Sequence, residues 1–361
     1  MKTPLFQQHV SLAGRMLDFH GWMLPMQYEG ILAEHAHCRR AACVFDTCHM
    51  GRFHISGPDA AAALAAVCTQ DAAALPVGRC RYGFLLNDRG GILDDTILIR
   101  LGRQEFLLVV NAAPARSDLQ WLQSHLTGDV RLVNRTASWG KLDLQGPASF
   151  AVLKGLVEGD LAGLTYFSAA AMPCCGVERI VSRTGYTGEL GYEIMLPTEA
   201  VGELFERIVS HEAVKPAGLG ARDLLRLEMC YPLYGQDMCE DANPLEADMG
   251  RFVDLGRDFI GAEALRAAAG VERKLVAFRT ESRRKAASGQ EITVNDSPVG
   301  AVTSAAFSPS LGVSIGMGYV RADLAAPGAE LTIRHPRGPL PAAVAARPLY
   351  KKGTCRTRNL S

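Results

Sequence analysis

The chain has 361 residues, 38 of them basic and 38 acidic, and 48% of the residues are hydrophobic. A chain with no net charge lacks the general attraction for polyanions that binding to nucleic acids or anionic membranes requires, so neither partner is expected. Its longest apolar run, residues 60–68, is far shorter than the ~20 residues that span a bilayer. Polar residues near the N-terminus interrupt any export signal. We therefore expect a cytoplasmic protein of two or three domains.

Ten cysteines in a chain without an export signal are expected to be reduced thiols. Histidines and cysteines are concentrated in residues 35–49, but the cysteines there are five residues apart, and no C-x-x-C pair occurs anywhere in the sequence. Zinc sites commonly contain such pairs. We therefore predict buried structural thiols and no metal site.

In chain order, two segments show the same pattern of an alternating strand, a Gly-Pro pair and a helix, at residues 53–60 and 142–149. Alternation is typical of a half-buried strand, and proline is tolerated in the first turn of a helix. Each segment is followed by a glycine-containing hairpin, at residues 86–95 and 183–192, and by an amphipathic helix, at residues 114–126 and 198–209. The repeat predicts two related α+β units packed about a pseudo-twofold axis.

From residue 274 onward, short alternating stretches are separated by glycine and proline, which predicts a C-terminal all-β domain, a barrel or sandwich. The expected division is therefore an α+β region, 1–273, followed by a β-barrel domain, 274–361. Within the first region, one domain is expected to comprise roughly 1–52 with 140–273, and the other 53–139. The two would then be intertwined along the chain.

Sequence motifs exclude several classes of enzyme. Gly218-Leu219-Gly220 lacks the third glycine of a dinucleotide fingerprint, and no phosphate-binding P-loop, G-x-S-x-G elbow or H-E-x-x-H is present. Polar residues instead occur on turn-rich segments. Asp94 and Asp95 begin a predicted strand, and because adjacent strand residues point to opposite faces, only one of them can face a given cleft.

Eight segments, in this order along nearly the whole chain, resemble the motif series of the glycine cleavage system T-proteins, which are aminomethyltransferases. They are F-H-G-W (19–22), F-D-T-C-H-M (45–50), G-G-I-L-D-D (90–95), V-V-N (109–111), R-T-G-Y-T-G-E-L-G-Y-E-I (183–194), G-L-G-A-R-D-L-L-R-L-E (218–228), L-Y-G-Q-D (233–237) and V-T-S-A-A-F-S-P-S-L-G (302–312). The resemblance implies two intertwined α+β domains around a central folate channel, with a β-barrel domain added.

The same resemblance implies a site for tetrahydrofolate as co-substrate and a lipoylated carrier, the H-protein, as partner. By carry-over of the motifs, Asp94 is the catalytic carboxylate near the folate ring nitrogens, while Val110, Asn111, Tyr186, Glu193 and Arg222 border the folate. Glu193 would accept paired N–H donors from the pterin. Arg222 is open to another interpretation, an ion pair with Asp223 or another nearby acid.

The implied reaction transfers a one-carbon unit from the aminomethyl-lipoyl carrier to tetrahydrofolate and releases ammonia. The sequence departs from the usual family pattern at Thr47-Cys48, Ala305-Ala306 and residues 229–232, which are expected to affect entry of the second substrate. A demethylase on the same scaffold therefore remains an alternative. A folate-binding relative of iron–sulfur cluster maintenance is disfavoured, since residues 229–237 lack its K-G-C-[FY]-x-G-Q-E signature.

Overall fold

A computed structural model of the chain describes residues 1–268, 270–358 and 360. The helices are α1 Phe6–Ser11, α2 Ile31–Arg40, α3 Ala60–Val67, α4 Ala115–His125, α5 Ser149–Lys154, α6 Val201–Val209, α7 Leu219–Glu228 and α8 Ala262–Ala267. The first strands are β1 Arg15–Phe19, β2 Trp22–Gln27, β3 Ala42–Asp46, β4 Gly51–Ser56, β5 Cys80–Leu86, β6 Ile92–Gly102, β7 Glu105–Val110, β8 Arg131–Asn134, β9 Trp139–Gln145 and β10 Ala169–Cys174. The remaining strands are β11 Val177–Ser182, β12 Gly191–Pro197, β13 Val214–Pro216, β14 Arg273–Thr280, β15 Glu291–Val294, β16 Ser297–Ser308, β17 Val313–Arg321, β18 Glu330–Ile333 and β19 Leu340–Ala345.

The chain forms two compact units that are not continuous in sequence. One contains residues 1–83, 95–223 and 353–361, and the other contains residues 84–94 and 224–352. This division follows the compactness of the contacts and does not coincide with the domain boundaries expected from the sequence. Those boundaries stay a prediction.

Two sheets form most of the first unit. One has the strand order β10-β11-β12-β9-β3-β13, and the other has the order β5-β6-β7-β4-β8. The runs β10-β11-β12-β9 and β5-β6-β7-β4 have the same order, and each ends at the strand that precedes a Gly-Pro pair, β9 or β4. The internal repeat seen in the sequence is therefore a repeat of sheet topology, and the predicted mixture of strands and helices is confirmed.

The repeat also extends to backbone conformation at its two Gly-Pro turns. Gly57 and Gly146 have φ values of 135° and 133°, which side-chain-bearing residues rarely adopt. A Cβ atom would lie 2.2 Å from the carbonyl oxygen of Asp129 at Gly57, and 2.2 Å from that of Ala41 at Gly146. Glycine is thus required at both turns for the same two reasons, conformation and close backbone approach.

The helices of the first unit cover the sheets with apolar faces. In α6, the buried residues Val201, Leu204, Phe205 and Ile208 follow the i, i+3, i+4, i+7 spacing of an amphipathic helix. They pack into a core with strand residues such as Leu142, Leu144 and Ile194. The helix predicted over 198–209 is confirmed, although its first three residues form a 3₁₀ turn.

The second unit contains the predicted barrel, which closes in the order β14-β17-β16-β15-β18-β19. Alternating residues of β14 point to different cores: Val276 and Phe278 face the barrel interior, while Leu275 and Ala277 pack outside it with Leu227. Period-two alternation in a strand produces this two-sided burial. The expected all-β C-terminal architecture is confirmed as a closed six-stranded barrel.

Candidate functional site

The two sheets of the first unit face each other across a shared apolar cluster. Ile97, Ile99, Leu107 and Val109 contribute from one sheet, and Met195 is among the residues that contribute from the other. Because strand residues two apart share a face, Asp95 lies on the face of Ile97, and Glu193 lies on the face of Met195. Asp95 on one sheet and Glu193 on the other therefore both lie beside the cluster, on the surfaces by which the two sheets face each other.

Asp95 forms a small polar group with two side chains from its own sheet. Asn111 Nδ2 donates to Asp95 Oδ1 at 2.8 Å, and the Tyr82 hydroxyl donates to Oδ2 at 3.0 Å. Burial raises the pKa of Asp95 to about 6, although both hydrogen bonds favour the ionised form and oppose that rise. A carboxyl group that titrates near neutral pH is suited to proton transfer.

Asp94 and Val110 lie on the other face of the same sheet. Asp94 is fully buried and belongs by compactness to the second unit, whereas Asp95 belongs to the first. The Val110 side chain is fully buried and fills the space that a Cβ atom on Gly51 would need. Only the backbone of Val110 can therefore border a ligand on the sheet face toward which Asn111 points. The catalytic role predicted for Asp94 stays a prediction, while Asn111, which was predicted to border the folate, donates a hydrogen bond to Asp95.

Glu193 belongs to a buried chain of alternating charges. Lys141 Nζ lies 2.5 Å from Glu193 Oε1 and 2.5 Å from Asp143 Oδ1, while Arg222 Nη1 lies 2.7 Å from Asp143 Oδ2. The Thr184 hydroxyl donates to the second Glu193 oxygen at 2.5 Å. The charges of Lys141 and Arg222 outweigh burial and lower the pKa of Asp143. The four charged groups sum to zero.

Only the two ends of this chain of charges are accessible. The side chains of Glu193 and Arg222 are 11% and 14% exposed, whereas those of Lys141 and Asp143 are 0% exposed. The Arg222 guanidinium lies 5.1 Å from the centre of the half-buried Tyr186 ring, within cation–π range. The predicted residues Tyr186, Glu193 and Arg222 are therefore brought together, and the acid that pairs with Arg222 is Asp143.

His49 borders this group and is held neutral. Burial is the main cause that lowers its pKa to about 3, and the positive charges of Arg222, Lys141 and Arg52 add to the effect. Its Nδ1 atom is buried without a hydrogen-bond partner among the described residues. A neutral imidazole at this position can accept or donate a hydrogen bond without adding charge.

Cys80 lies on the sheet of Asp95, near enough to Glu193 on the facing sheet to be affected by its charge. It lies on β5 in the Asp95 sheet and belongs to the shared apolar cluster. Burial raises the pKa of its thiol, and the negative charge of Glu193 on the opposite sheet raises it further. The Asp95 group and the Glu193 group therefore both lie beside the apolar cluster that the two sheets share.

Residues from the last three motifs of the sequence form a buried polar network in the second unit. Arg226 Nη1 lies 2.5 Å from Asp237 Oδ2, and Arg226 Nη2 donates to Ser304 Oγ at 2.9 Å. The Ser308 hydroxyl donates to Glu228 Oε1 at 2.5 Å. These side chains are all buried and bind one another, so the motifs are explained by the packing of α7 against the barrel strands.

Sequence reasoning missed Lys141 and Asp143. It expected Thr47 to affect entry of the second substrate, but Thr47 is buried and its hydroxyl donates to Asp143 at 2.9 Å. One signal was available: in the strand Lys141-Leu142-Asp143-Leu144, the two charged residues share a face and the leucines share the other. Their partners lie 52 and 79 residues further along the chain, at Glu193 and Arg222. Nothing in one strand identifies such distant partners.

Within the described residues, no helix has the length and apolar character of a membrane span. A family model described as the GCVT N-terminal domain matches residues 5–257, and one described as the glycine cleavage T-protein C-terminal barrel domain matches residues 273–351. The chain is 39% identical to an aminomethyltransferase of Thermotoga petrophila over 360 residues, covering 98% of this chain and 99% of that protein. It is 37% identical to an aminomethyltransferase of Listeria monocytogenes over 357 residues, covering 98% of each.

A solved structure gives the same result for the fold. The crystal structure of glycine cleavage system aminomethyltransferase T from Bartonella henselae matches with a TM-score of 0.93 and 33% sequence identity. The match covers 98% of this chain and 99% of that one.

Proposed function

This chain belongs to the glycine cleavage T-protein family of aminomethyltransferases, and from that premise we propose that the site between its two sheets binds tetrahydrofolate as co-substrate. The chain acts as an aminomethyltransferase of the glycine cleavage system. The relatives reported above carry this same activity, so the demethylase alternative is not favoured.

The observation that carries the folate proposal is the partly accessible carboxylate of Glu193. Lys141 donates a hydrogen bond to one of its oxygens, and Thr184 donates one to the other. A carboxylate has about four acceptor positions, so roughly two remain for a ligand. A pterin edge offers paired N–H donors, and the half-buried Tyr186 offers an aromatic surface beside it. These residues fit the group.

Tetrahydrofolate supplies the amine nitrogens that accept the one-carbon unit. The task left to the protein is to orient those nitrogens and to manage protons and positive charge. Asp95, on the sheet that faces the sheet of Glu193 and with a pKa of about 6, can hold or release a proton near neutral pH. Asn111 and Tyr82 fix the direction of its carboxylate. We therefore propose Asp95 as the acid/base group, in competition with the sequence-based choice of Asp94.

The carrier and the compartment complete the proposal. The one-carbon donor is the aminomethyl group of a lipoylated carrier, the H-protein, and the reaction releases ammonia. The site of action is the cytoplasm. These parts rest on membership of the family and on the resemblance of the motifs.

Calorimetric titration with tetrahydrofolate, joined to a turnover assay with the aminomethyl-lipoyl carrier, tests the proposal. Glu193→Ala should weaken folate binding by at least about 1.5 kcal/mol, because charge-assisted hydrogen bonds are lost. Glu178→Ala, at an exposed position on the adjacent strand β11, is the matched control and should bind as the wild type does. Absence of binding by the wild type at millimolar folate would rule the proposal out.

A further inference from the structure

A lysine that no ligand can reach connects the two accessible ends of the site. Lys141 has a fully buried side chain, and its ammonium group contacts Glu193, Asp143 and the hydroxyl of Thr47, the last at 3.2 Å. An ammonium group has three N–H donors, so these three oxygens satisfy it completely. Its hydrogen bonds therefore all serve the protein's own side chains.

Stability does not explain this arrangement well. Removing an ion pair from water costs free energy that the attraction between its charges often only balances, and apolar residues of similar volume usually stabilise a core as well or better. Lys141 and Asp143 occupy one face of β9, whose neighbouring positions Leu142 and Leu144 belong to the apolar core. Two apolar residues in place of Lys141 and Asp143 would pack in β9 without leaving a buried charge that needs a partner.

The charge balance of the group explains it better. Asp143 and Glu193 are two buried carboxylates, and Arg222 contacts only Asp143 of the two among the bonds described above. Without Lys141, two negative charges would share one positive partner in a site of low polarity. A buried carboxylate without a cation takes up a proton, and a protonated carboxyl group loses acceptor capacity toward N–H donors.

We propose that Lys141 is a positioning residue that balances Asp143 and keeps Glu193 ionised and oriented as an acceptor for a ligand edge with paired N–H donors. This inference deepens the proposed function and rests on it for the identity of the ligand. Lys141 acts through Glu193 and does not itself touch the ligand. Lys141 and Asp143 thus form one unit: the lysine is needed because the aspartate is there.

Other charged or titratable groups surround this unit. His49 follows β3, Arg52 lies on β4, Cys80 lies on β5 and Arg222 lies on α7. Burial keeps His49 neutral and raises the pKa of the Cys80 thiol, so neither changes charge between pH 5 and 8. The arginines keep their charge throughout that range. Asp95 on the facing sheet has a pKa of about 6 and changes charge in the wild type as well as in the variants. A pH dependence that differs from that of the wild type when Lys141 is replaced therefore belongs to Asp143 and Glu193.

The test compares the wild type, Lys141→Met and the charge-balanced variant Lys141→Met/Asp143→Leu, using tetrahydrofolate titrations at pH 6.0, 7.0 and 8.5. Lys141→Met should bind at least about tenfold more weakly at pH 6.0 and recover part of that loss at pH 8.5, because alkaline pH restores the carboxylate. The charge-balanced variant should recover most of the lost affinity and show the same pH dependence as the wild type. Loss of affinity that is equal at all three pH values, or no rescue by Asp143→Leu, would overturn the proposal.

A second measurement needs no ligand. In Lys141→Met the folded state should hold an extra proton that the unfolded chain has released, so urea stability relative to the wild type should fall as pH rises from 5 to 8. The charge-balanced variant should lack this slope. If the slope appears but the wild type binds no folate, the proposed function fails and the charge-balancing role stands. If the slope is absent, the role of Lys141 fails whatever the ligand.

Discussion

At the scale of single residues, two adjacent aspartates separate the sequence-based choice of catalytic carboxylate from the structural one. Asp95→Asn keeps the size of the side chain and removes the charge and the titration near pH 6. We expect turnover with the aminomethyl carrier to fall by at least a factor of about 100, or ~2.7 kcal/mol in the barrier, while folate affinity changes much less. Turnover of the wild type should rise as pH increases through about 6, because Asp95 ionises there, and Asp95→Asn should lose that rise.

Asp94→Asn is the internal comparison for this experiment. Asp94 is fully buried on the other face of β6, so its replacement should alter stability more than turnover. Steady-state rates of both variants between pH 5 and 8, beside their melting temperatures, give the answer. A large loss of turnover in Asp94→Asn with little change in Asp95→Asn would restore the choice made from the sequence.

The residues that sequence reasoning found and those it missed differ in a physical way. Glu193 and Tyr186 stand in one continuous hairpin segment, so a motif identifies both. Lys141 and Asp143 acquire meaning only when β9 pairs with β12 and β3, which brings together residues that are distant in the chain. Their alternation in a buried strand was visible in the sequence, but their partners were not. The orientation of Asp94 and Asp95 was also not predictable. The sequence indicates that they point to opposite faces of the strand, but it does not indicate which of them faces the site.

At the scale of elements, the short helix α1 depends on a buried hydrogen bond between a histidine and an aspartate. Six residues are too few for an isolated helix to persist in water. His9 on α1 lies 2.8 Å from Asp46 on β3, both side chains are fully buried, and the Tyr28 hydroxyl bonds the other nitrogen of His9 at 2.8 Å. Burial alone would raise the pKa of Asp46, but the hydrogen bond and charge of His9 lower it to about 2.

His9→Leu should therefore destabilise the fold by about 3–5 kcal/mol at pH 7, because it leaves a buried carboxylate without its partner. Urea denaturation measures this loss. His54→Leu is the matched control, since His54 and Glu105 form a similar pair at 2.7 Å with Glu105 half-exposed, and such pairs contribute about 1 kcal/mol or less. Equal losses in the two variants would contradict the role given to the buried pair.

The loss of folding stability at low pH is expected to depend on the same aspartate, Asp46. Asp46 has a lowered pKa of about 2 in the folded state, against 3.8 for an ordinary aspartate. Its contribution is therefore present above about pH 4 and is lost as pH falls through about 2. In His9→Leu that protective shift is lost, so acid unfolding monitored by circular dichroism should begin at a higher pH than in the wild type.

At the scale of the whole molecule, the repeat and the barrel were predictable because both depend on local patterns. Two Gly-Pro turns between an alternating strand and a helix predicted two related α+β units, and short alternating stretches after residue 274 predicted an all-β barrel or sandwich. The structure has two sheets with matching runs of strands and a closed barrel. The division into compact units was not predictable in the same way. The hairpin segment 84–94 belongs by its contacts to the unit of residues 224–352, which lie more than a hundred residues further along the chain.

The last prediction concerns the carrier and the basic stretch 279–285 of the second unit. A lipoylated carrier of this system is expected to be acidic, and we predict that it docks by electrostatic attraction beside Arg279, Arg283, Arg284 and Lys285. Arg284 is unsuitable for mutation, because its guanidinium donates to the backbone oxygens of Arg337 and Pro339 at 2.8 and 2.6 Å. Arg279 and Lys285 are exposed, so their replacement leaves the fold intact.

Arg279→Glu/Lys285→Glu should raise the KM for the carrier several-fold at low salt and leave the folate dissociation constant unchanged, because repulsion replaces attraction at the docking surface only. The difference from the wild type should shrink as ionic strength rises, since the screening length falls from about 30 Å at 0.01 M to about 8 Å at 0.15 M. Lys351→Glu/Lys352→Glu makes the same change of charge at exposed positions outside the stretch and should leave the KM near the wild-type value. If both double variants raise the KM equally, the attraction belongs to the general charge of the chain. If neither does, the stretch 279–285 is a solvated surface loop with no part in docking.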